Sequence, residues 1–177
     1  MESIALRGAN FCTTVAGLVG VNGATTLTTA AAALFCVNGK AFSKAAATGG
    51  AAPTLDTATG VAFKPVLPGY GCVFVIGSIA GTDSAFAAVQ GEITQLNANA
   101  GTYVPGAFLT APEFPVLPDT FCAIGYIVVQ VGANFTPTTG WQFGVSNTKE
   151  SAYNSAATSF LPTPVSVMVL PARPQIS

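Results

Sequence analysis

Six lysines and arginines and seven aspartates and glutamates, 7% of 177 residues, give the chain a net charge of −1, and it has no histidine. The lack of histidine excludes Ser-His-Asp triads, Cys-His pairs and histidine-ligated metals, and six dispersed cations exclude the basic surface that nucleic-acid binding needs. An average composition would supply roughly 44 charged residues. A surface with so few charged groups is expected to be covered in large part by other subunits. The composition therefore indicates a protein that works as part of an assembly.

The N-terminal residues 1–20 are predicted to form an arm or a first strand, with residues 21–177 forming one all-β domain. The first seven residues lack the basic and apolar regions of a signal peptide, so synthesis in a cytoplasm is expected. A membrane helix needs about 20 apolar residues. The longest clean apolar run covers residues 30–37, so no membrane partner is expected.

Two Asn-Gly dipeptides, at positions 22–23 and 38–39, predict tight hairpin turns. Asn-Gly is typical of type I′ turns because both central residues need positive φ. The second turn joins two predicted strands, over residues 24–37 and 40–44. Alanines at 30–33 would also suit a helical turn, because alanine is the best helix former.

The middle of the chain predicts a loop and two strands. Residues 45–62 are small and repetitive, which is typical of a surface loop or an extended crossing segment. Residues 72–76 are apolar at every position and predict a central strand that is buried on both faces. Residues 85–96 predict another strand, with Val89 and Ile93 on the same face.

A proline-rich loop follows at residues 101–120, where proline occurs too often for a helix or a central strand. Phe108, Phe114 and Val116 lie between the prolines and are candidate partner contacts. A segment held extended by proline loses little entropy when it docks, so it could lie across a neighbouring subunit. It could equally cover the core of its own domain.

The C-terminal part predicts three strands and one short helix. Residues 121–131 form the strongest predicted strand, in which Gly125 marks a bulge or a close backbone approach. Residues 141–145 alternate as in a half-buried strand, residues 149–157 predict a short helix, and residues 165–170 predict the last strand. Taken together, these elements predict an all-β fold, a single β-sandwich or jelly-roll-like domain with an extended N-terminal arm and a proline-rich loop.

No motif for catalysis, a metal or another cofactor is complete, and we expect a protein that is not an enzyme. Ser146 and Lys149 match S-x-x-K without the S-D-N and K-T-G motifs that accompany it. Glu113 and Asp119 are two carboxylates whose separation nothing in the sequence sets, and we interpret them as exposed acids. Four cysteines without C-x-x-C spacing are interpreted as buried free thiols: Cys12, Cys36, Cys72 and Cys122.

Aromatic and arginine side chains offer further candidate contacts. Trp141 and the tyrosines could build a patch that stacks on carbohydrate, although we favour a core position for Trp141 and Tyr126. Arg7 and Arg173, in the two terminal segments, are candidate partner contacts because guanidinium groups pair with carboxylates in bidentate fashion.

Five segments resemble known proteins in their composition and in their order along the chain. They are residues 35–45, 53–63, 108–131, 141–144 and 167–174. Over this span the chain resembles small structural proteins of tailed double-stranded-DNA bacteriophages, of the head-decoration, cement or head-fibre type. The resemblance implies a place on the capsid exterior, binding to the major capsid protein, and a homo-oligomer, with a trimer favoured.

The sequence therefore predicts a virion structural protein that docks on an icosahedral head and stabilises it by burying apolar and uncharged surface. One alternative is a tail or fibre-type adhesion protein that binds host glycan. Another is a self-assembling surface-layer subunit, which would form sheets or fibres by itself.

Overall fold

A computed structural model describes residues 10–20, 25–97, 106–132 and 139–145, together with the strand at 156–161. The residues so described contain eleven β-strands and no helix. In chain order the strands are β1 (Phe11–Cys12), β2 (Leu18–Gly20), β3 (Thr26–Thr29), β4 (Ala33–Val37), β5 (Lys40–Lys44), β6 (Gly50–Ala51), β7 (Tyr70–Ile79), β8 (Phe86–Gln90), β9 (Thr94–Gln95), β10 (Phe121–Val131) and β11 (Ala156–Leu161).

The strands form three sheets in which every pairing is antiparallel. The main sheet has the order β11-β10-β7-β8, and β9 pairs with β7 beyond the end of β8. Two smaller sheets have the orders β1-β4-β5 and β2-β3-β6. The all-β prediction is confirmed for the described residues.

The main sheet is built on β7 and β10, the two most apolar predicted strands. Strand β7 is buried on both faces, whereas the second half of β10 is buried on one face and partly buried on the other. One face, called the inner face, carries Cys72, Phe74 and Ile76, which join side chains of both smaller sheets in a large buried cluster. The opposite face, called the outer face, carries Val73 and Val75 in a second, smaller cluster. Strict alternation along β7 therefore divides its side chains between two buried regions.

A bulge in β10 confirms the prediction made at Gly125. Ala123 pairs with Gly77 and Gly125 pairs with Ile76, so Ile124 is the extra residue. Before the bulge, Cys122 and Ile124 belong to the inner cluster, and after it Ile127, Val129 and Val131 do. The extra residue shifts the alternation by one position, and this keeps apolar side chains on the inner face along the whole strand.

The second Asn-Gly turn is also confirmed. Asn38 and Gly39 have φ values of 51° and 76°, and they join β4 to β5 with Val37 opposite Lys40. The first Asn-Gly dipeptide lies outside the described residues, although β2 and β3 on either side of it pair antiparallel.

The single strand predicted over residues 24–37 is wrong. It is two strands, β3 and β4, which belong to different sheets. Between them the amides of Ala30 and Ala31 donate to the carbonyls of Gly17 and Ala16, at 3.0 Å each. These bonds turn the chain away from β3 before β4 begins, so the first three alanines of the run form neither a strand nor a helix, and the fourth, Ala33, begins β4.

The strand predicted over residues 85–96 is interrupted, because β8 ends at Gln90 and β9 begins at Thr94. Val89 lies in the outer cluster, whereas Ile93 packs against the inner one, so the prediction that they share a face is wrong. The break at Gly91 coincides with a crossing of the proline-rich loop, described below.

The strand predicted over residues 141–145 is also wrong. Trp141 forms an isolated bridge, in which it exchanges two backbone bonds of 2.8 Å with Val66. Gly140 and Gly144 have φ values of 100° and 73°, and these left-handed conformations end the extended stretch on both sides. The predicted burial holds for Trp141 and Phe143, which are both buried, but it fails at Val145, which is exposed.

Other predicted elements fall wholly or partly outside the described residues. The helix predicted over 149–157 overlaps the described chain only at Ala156 and Ala157, which belong to β11, so that end of the prediction is wrong. The strand predicted over 165–170 lies outside the described residues. Within the predicted arm, residues 10–20 contribute β1 and β2 to the two smaller sheets.

Candidate interaction surface

The outer face of the main sheet is apolar and contains three positions without side chains. Its buried residues are Val73, Val75, Ala87, Val89, Phe121 and Ala123. Gly71 and Gly77 of β7, together with Gly91 after β8, leave room for other groups to approach the backbone closely. Such positions are typical of places where a second chain segment crosses a sheet.

The segment that crosses this face is residues 106–118, called the strap. At its start, the amide of Asn97 donates to the Ala107 carbonyl at 2.7 Å, and the amide of Leu109 donates to the Gln95 carbonyl at 3.2 Å. At its end, the amide of Phe121 donates to the Pro118 carbonyl at 2.9 Å. The strap is therefore attached to β9 at one end and leads into β10 at the other.

One side of the strap packs against the outer face. A Cβ atom at Gly71 would lie 2.8 Å from the Phe108 ring, so this ring covers the glycine. A Cβ atom at Gly91 would lie 2.7 Å from the Glu113 carbonyl oxygen, so the strap backbone passes directly over it. Farther along, Leu117 packs against the outer cluster. The sequence left open whether the proline-rich loop covers its own domain or a neighbouring subunit. On this side of the strap, it covers its own domain.

The outward side of the strap carries apolar side chains that are largely exposed to solvent, although the Phe114 ring also contacts the sheet at Tyr126. Leu109 is 58% exposed, Phe114 is 53% exposed and Val116 is 91% exposed. These three residues are called the stripe. The Phe114 ring contacts Tyr126 of β10 edge-on, with 4.9 Å between ring centroids, and this contact orients the ring. Pro115 and Pro118 flank Val116 and limit the backbone conformations that the strap can adopt.

A groove of about 510 Å³ lies beside the strap. One wall is formed by residues 92–95 and the other by residues 109–111 and Glu113. Leu109 belongs to both the groove and the stripe, so the two features are continuous. Two carboxylates, Glu92 and Glu113, line the groove, and no lysine or arginine lines it.

The structure places the five predicted contact residues in different settings. Phe114 and Val116 lie on the outward side of the strap, whereas Phe108 is half-buried over Gly71. Arg7 and Arg173 lie outside the described residues. Leu109, Leu117 and Glu92 also belong to this surface and were not predicted from the sequence. Alternation along residues 114–117 could have separated Val116 from Leu117, but no local signal brings Glu92 beside Glu113.

The aromatic residues proposed for glycan stacking are divided by burial. Trp141 is buried among Phe74 and Phe143, with ring centroids 5.8 Å and 6.0 Å away. Tyr126 is half-buried beneath Phe114, which agrees with a packing role, and Tyr70 lies at the exposed end of β7. Tyr103 and Tyr153 lie outside the described residues, as do Ser146 and Lys149 of the S-x-x-K match.

The cysteines are four buried free thiols, as the sequence analysis predicted. Burial raises the pKa of the Cys72 thiol from 9.0 to about 12, against a smaller opposing effect of its hydrogen bond with Gln90. Burial likewise raises the pKa of Cys122 to about 12. A thiol of this pKa is protonated and unreactive at neutral pH.

The described part of the chain has neither a metal-binding cluster nor a membrane-spanning helix. No group of three or more histidine, cysteine, aspartate or glutamate residues there is arranged to hold a metal ion. Nor does that part contain a helix of the length and apolarity needed to span a bilayer. Comparisons of the chain with protein-family models, curated proteins and solved structures find no match.

Proposed function

We propose that this chain is a non-enzymatic structural protein of a bacteriophage virion, which docks on the capsid exterior and stabilises the head as a decoration or cement protein. Its partner in this proposal is the major capsid protein. It is made in the host cytoplasm, forms a closed oligomer with a trimer favoured, and packs its sheets as a sandwich. The phage assignment comes from the sequence resemblance, and the docking role comes from the strap.

The observation that carries the docking role is the outward side of the strap. An exposed valine and phenylalanine on a flexible loop would lose entropy on binding, but here Leu117, Phe108 and the prolines already fix their backbone. Pre-organised apolar side chains of this kind are typical anchors of protein–protein interfaces. Arg7 and Arg173 are proposed as additional contacts from the terminal segments.

Apolar burial in such an interface gives about 25 cal/mol per Å², and an interface of roughly 2,000 Å² would gain about 50 kcal/mol before ordering and association costs are subtracted. Ion pairs are then unnecessary for affinity. We therefore expect the docked protein to stay on the particle in 1 M NaCl, where charges are screened within about 3 Å.

The test uses heads assembled without this protein, to which purified variants are added back. Val116→Asp should weaken binding at least about tenfold, because it places a charge in an apolar contact. Val15→Asp is the matched control, since Val15 is 54% exposed in the loop after β1, at a distance from the strap in sequence. Equal binding of the two variants, with melting temperatures unchanged, would contradict the docking role of the strap.

Two alternatives make different predictions. Burial of Trp141 counts against glycan stacking by that residue, and a glycan-binding adhesion protein would retain affinity for host cell-surface carbohydrate without heads. A surface-layer subunit would form fibres or sheets alone, whereas a decoration protein should sediment as one small closed oligomer.

A further inference from the structure

We infer that the surface which docks on the stripe is basic, with lysine or arginine side chains beside an apolar patch, and that Glu92, Glu113 and Asp119 face those cations. This inference rests on the proposed docking function and specifies the chemistry of its partner. In this inference the carboxylates set the orientation and the association rate of docking, whereas the apolar stripe provides most of the affinity.

The carboxylates are unevenly distributed over the described residues. Asp56 is buried and accepts from the backbone amides of Ala58 and Gln90, at 2.7 Å and 3.1 Å. Asp83 accepts from the amide of Ala45 at 2.6 Å. These two carboxylates stabilise turns of the chain itself.

The other three described carboxylates belong to Glu92, Glu113 and Asp119, and all three side chains are exposed. Glu92 and Glu113 line the groove, Glu113 lies next to Phe114 in the strap, and Asp119 directly follows the strap. Among the described residues, the exposed carboxylates outside the Asp83 turn therefore lie on the strap or immediately beside it. This placement puts negatively charged side chains beside the apolar stripe, with Glu92 and Glu113 in the groove that Leu109 shares with it.

Lysines of the described residues do not neutralise this region from within the groove. Lys44 is buried, and its ammonium group donates to the Ser84 carbonyl and lies 4.4 Å from the Phe86 ring centroid. Lys40 lies in the β4–β5 hairpin, and Lys64 lines a separate small cavity with Asp56 and Gln90. The groove itself is lined by carboxylates alone among charged groups.

The carboxylates beside the stripe favour a basic partner over a second copy of this chain. If two copies docked strap to strap about a two-fold axis, the same carboxylates would face one another, which is unfavourable. A partner with lysine or arginine around an apolar patch instead complements both parts of the surface. Complementary rim charges mainly raise association rates and fix orientation, while buried apolar contacts determine dissociation.

The experiment measures association and dissociation rates on heads that lack the protein, at low salt and in 1 M NaCl. The variant is Glu92→Gln with Glu113→Gln, which removes two negative charges without changing side-chain size appreciably. Its association rate at low salt should fall about tenfold, its dissociation rate should be nearly unchanged, and the difference should vanish at high salt. Ala31→Lys with Ala46→Lys is the control, because it changes net charge equally at exposed positions distant from the strap in sequence.

The outcomes separate the inference from the function on which it rests. If the glutamine variant associates as fast as the unchanged protein, or if the control slows equally, the inference is wrong while docking through the stripe stands. If Val116→Asp changes the sedimenting oligomer, a second copy covers the stripe and the inference is wrong. If the unchanged protein does not bind heads, the proposed function fails, and the inference fails with it.

Discussion

Glycine residues determine how closely the strap approaches the main sheet. At Gly91 an added Cβ atom would lie 2.7 Å from the Glu113 carbonyl oxygen of the strap, and at Gly71 it would lie 2.8 Å from the Phe108 ring of the strap. Real Cβ atoms do not approach so closely, and backbone atoms cannot move aside as a flexible side chain can. The missing side chains therefore permit a contact that decides which side of the strap faces solvent.

Replacement of Gly91 by alanine tests this contact. Gly91→Ala should lower the free energy of unfolding by about 2–3 kcal/mol, because the strap must move off the sheet to admit the methyl group. Gly60→Ala is the control, because Gly60 has open space around it and a φ of 72°, so only left-handed strain of about 1 kcal/mol applies. Urea unfolding measures both variants, and an equal cost at the two positions would contradict a close strap–sheet contact.

Among the elements, the strap differs from an ordinary loop because its two sides have different roles. Leu117 contributes to the outer cluster, whereas its neighbour Val116 contacts little of the domain and is 91% exposed. The prolines keep the backbone extended, so alternate side chains point to opposite sides. In the proposed function, stability and docking would therefore depend on different residues of one segment.

This separation predicts opposite behaviour for two adjacent alanine substitutions. Leu117→Ala should lower the free energy of unfolding by about 2 kcal/mol, since it removes a side chain packed in the outer cluster. Val116→Ala should change it by less than about 0.5 kcal/mol, yet weaken docking on heads. Denaturant unfolding together with head binding measures the pair. Similar unfolding costs for both variants would show that the strap has no distinct inner and outer side.

For the whole molecule, few charged groups are present, so the buried thiols are a main reason why the free energy of unfolding depends on pH in the alkaline range. Cys72 and Cys122, with pKa values raised from 9.0 to about 12 by burial, keep their protons in the folded state at a pH where the unfolded chain loses them. The folded state then binds more protons than the unfolded state between pH 9 and 12. Stability is accordingly complete below pH 9 and falls as the pH rises through this window.

The expected measurement is a urea denaturation series at pH 7.5, 9 and 10.5. The free energy of unfolding should be flat up to pH 9 and then decline, because deprotonation of the thiols favours the unfolded chain. Cys72→Ala with Cys122→Ala should flatten the decline even though its cavities lower stability at every pH. An unchanged slope in this double variant would assign the alkaline loss to other groups.

The sequence determined the features that depend on local conformation and on solvation along the chain. Positive φ at Asn38-Gly39 places the β4–β5 turn, continuous apolar runs predict β7 and β10, and Gly125 marks the bulge. Prolines likewise exclude a helix or a central strand in the strap. These properties follow from each residue and its immediate neighbours, so no tertiary information is needed to predict them.

Only the tertiary structure decided which distant segments meet. It divides residues 24–37 between two sheets, pairs Trp141 with Val66, and places the strap over Gly71 and Gly91. Such contacts depend on packing between residues far apart in sequence, for which a single sequence carries no local signal. For the same reason the sequence named Phe114 and Val116 as candidate contacts but could not tell that Phe108 faces the sheet or that Glu92 joins Glu113 in one groove.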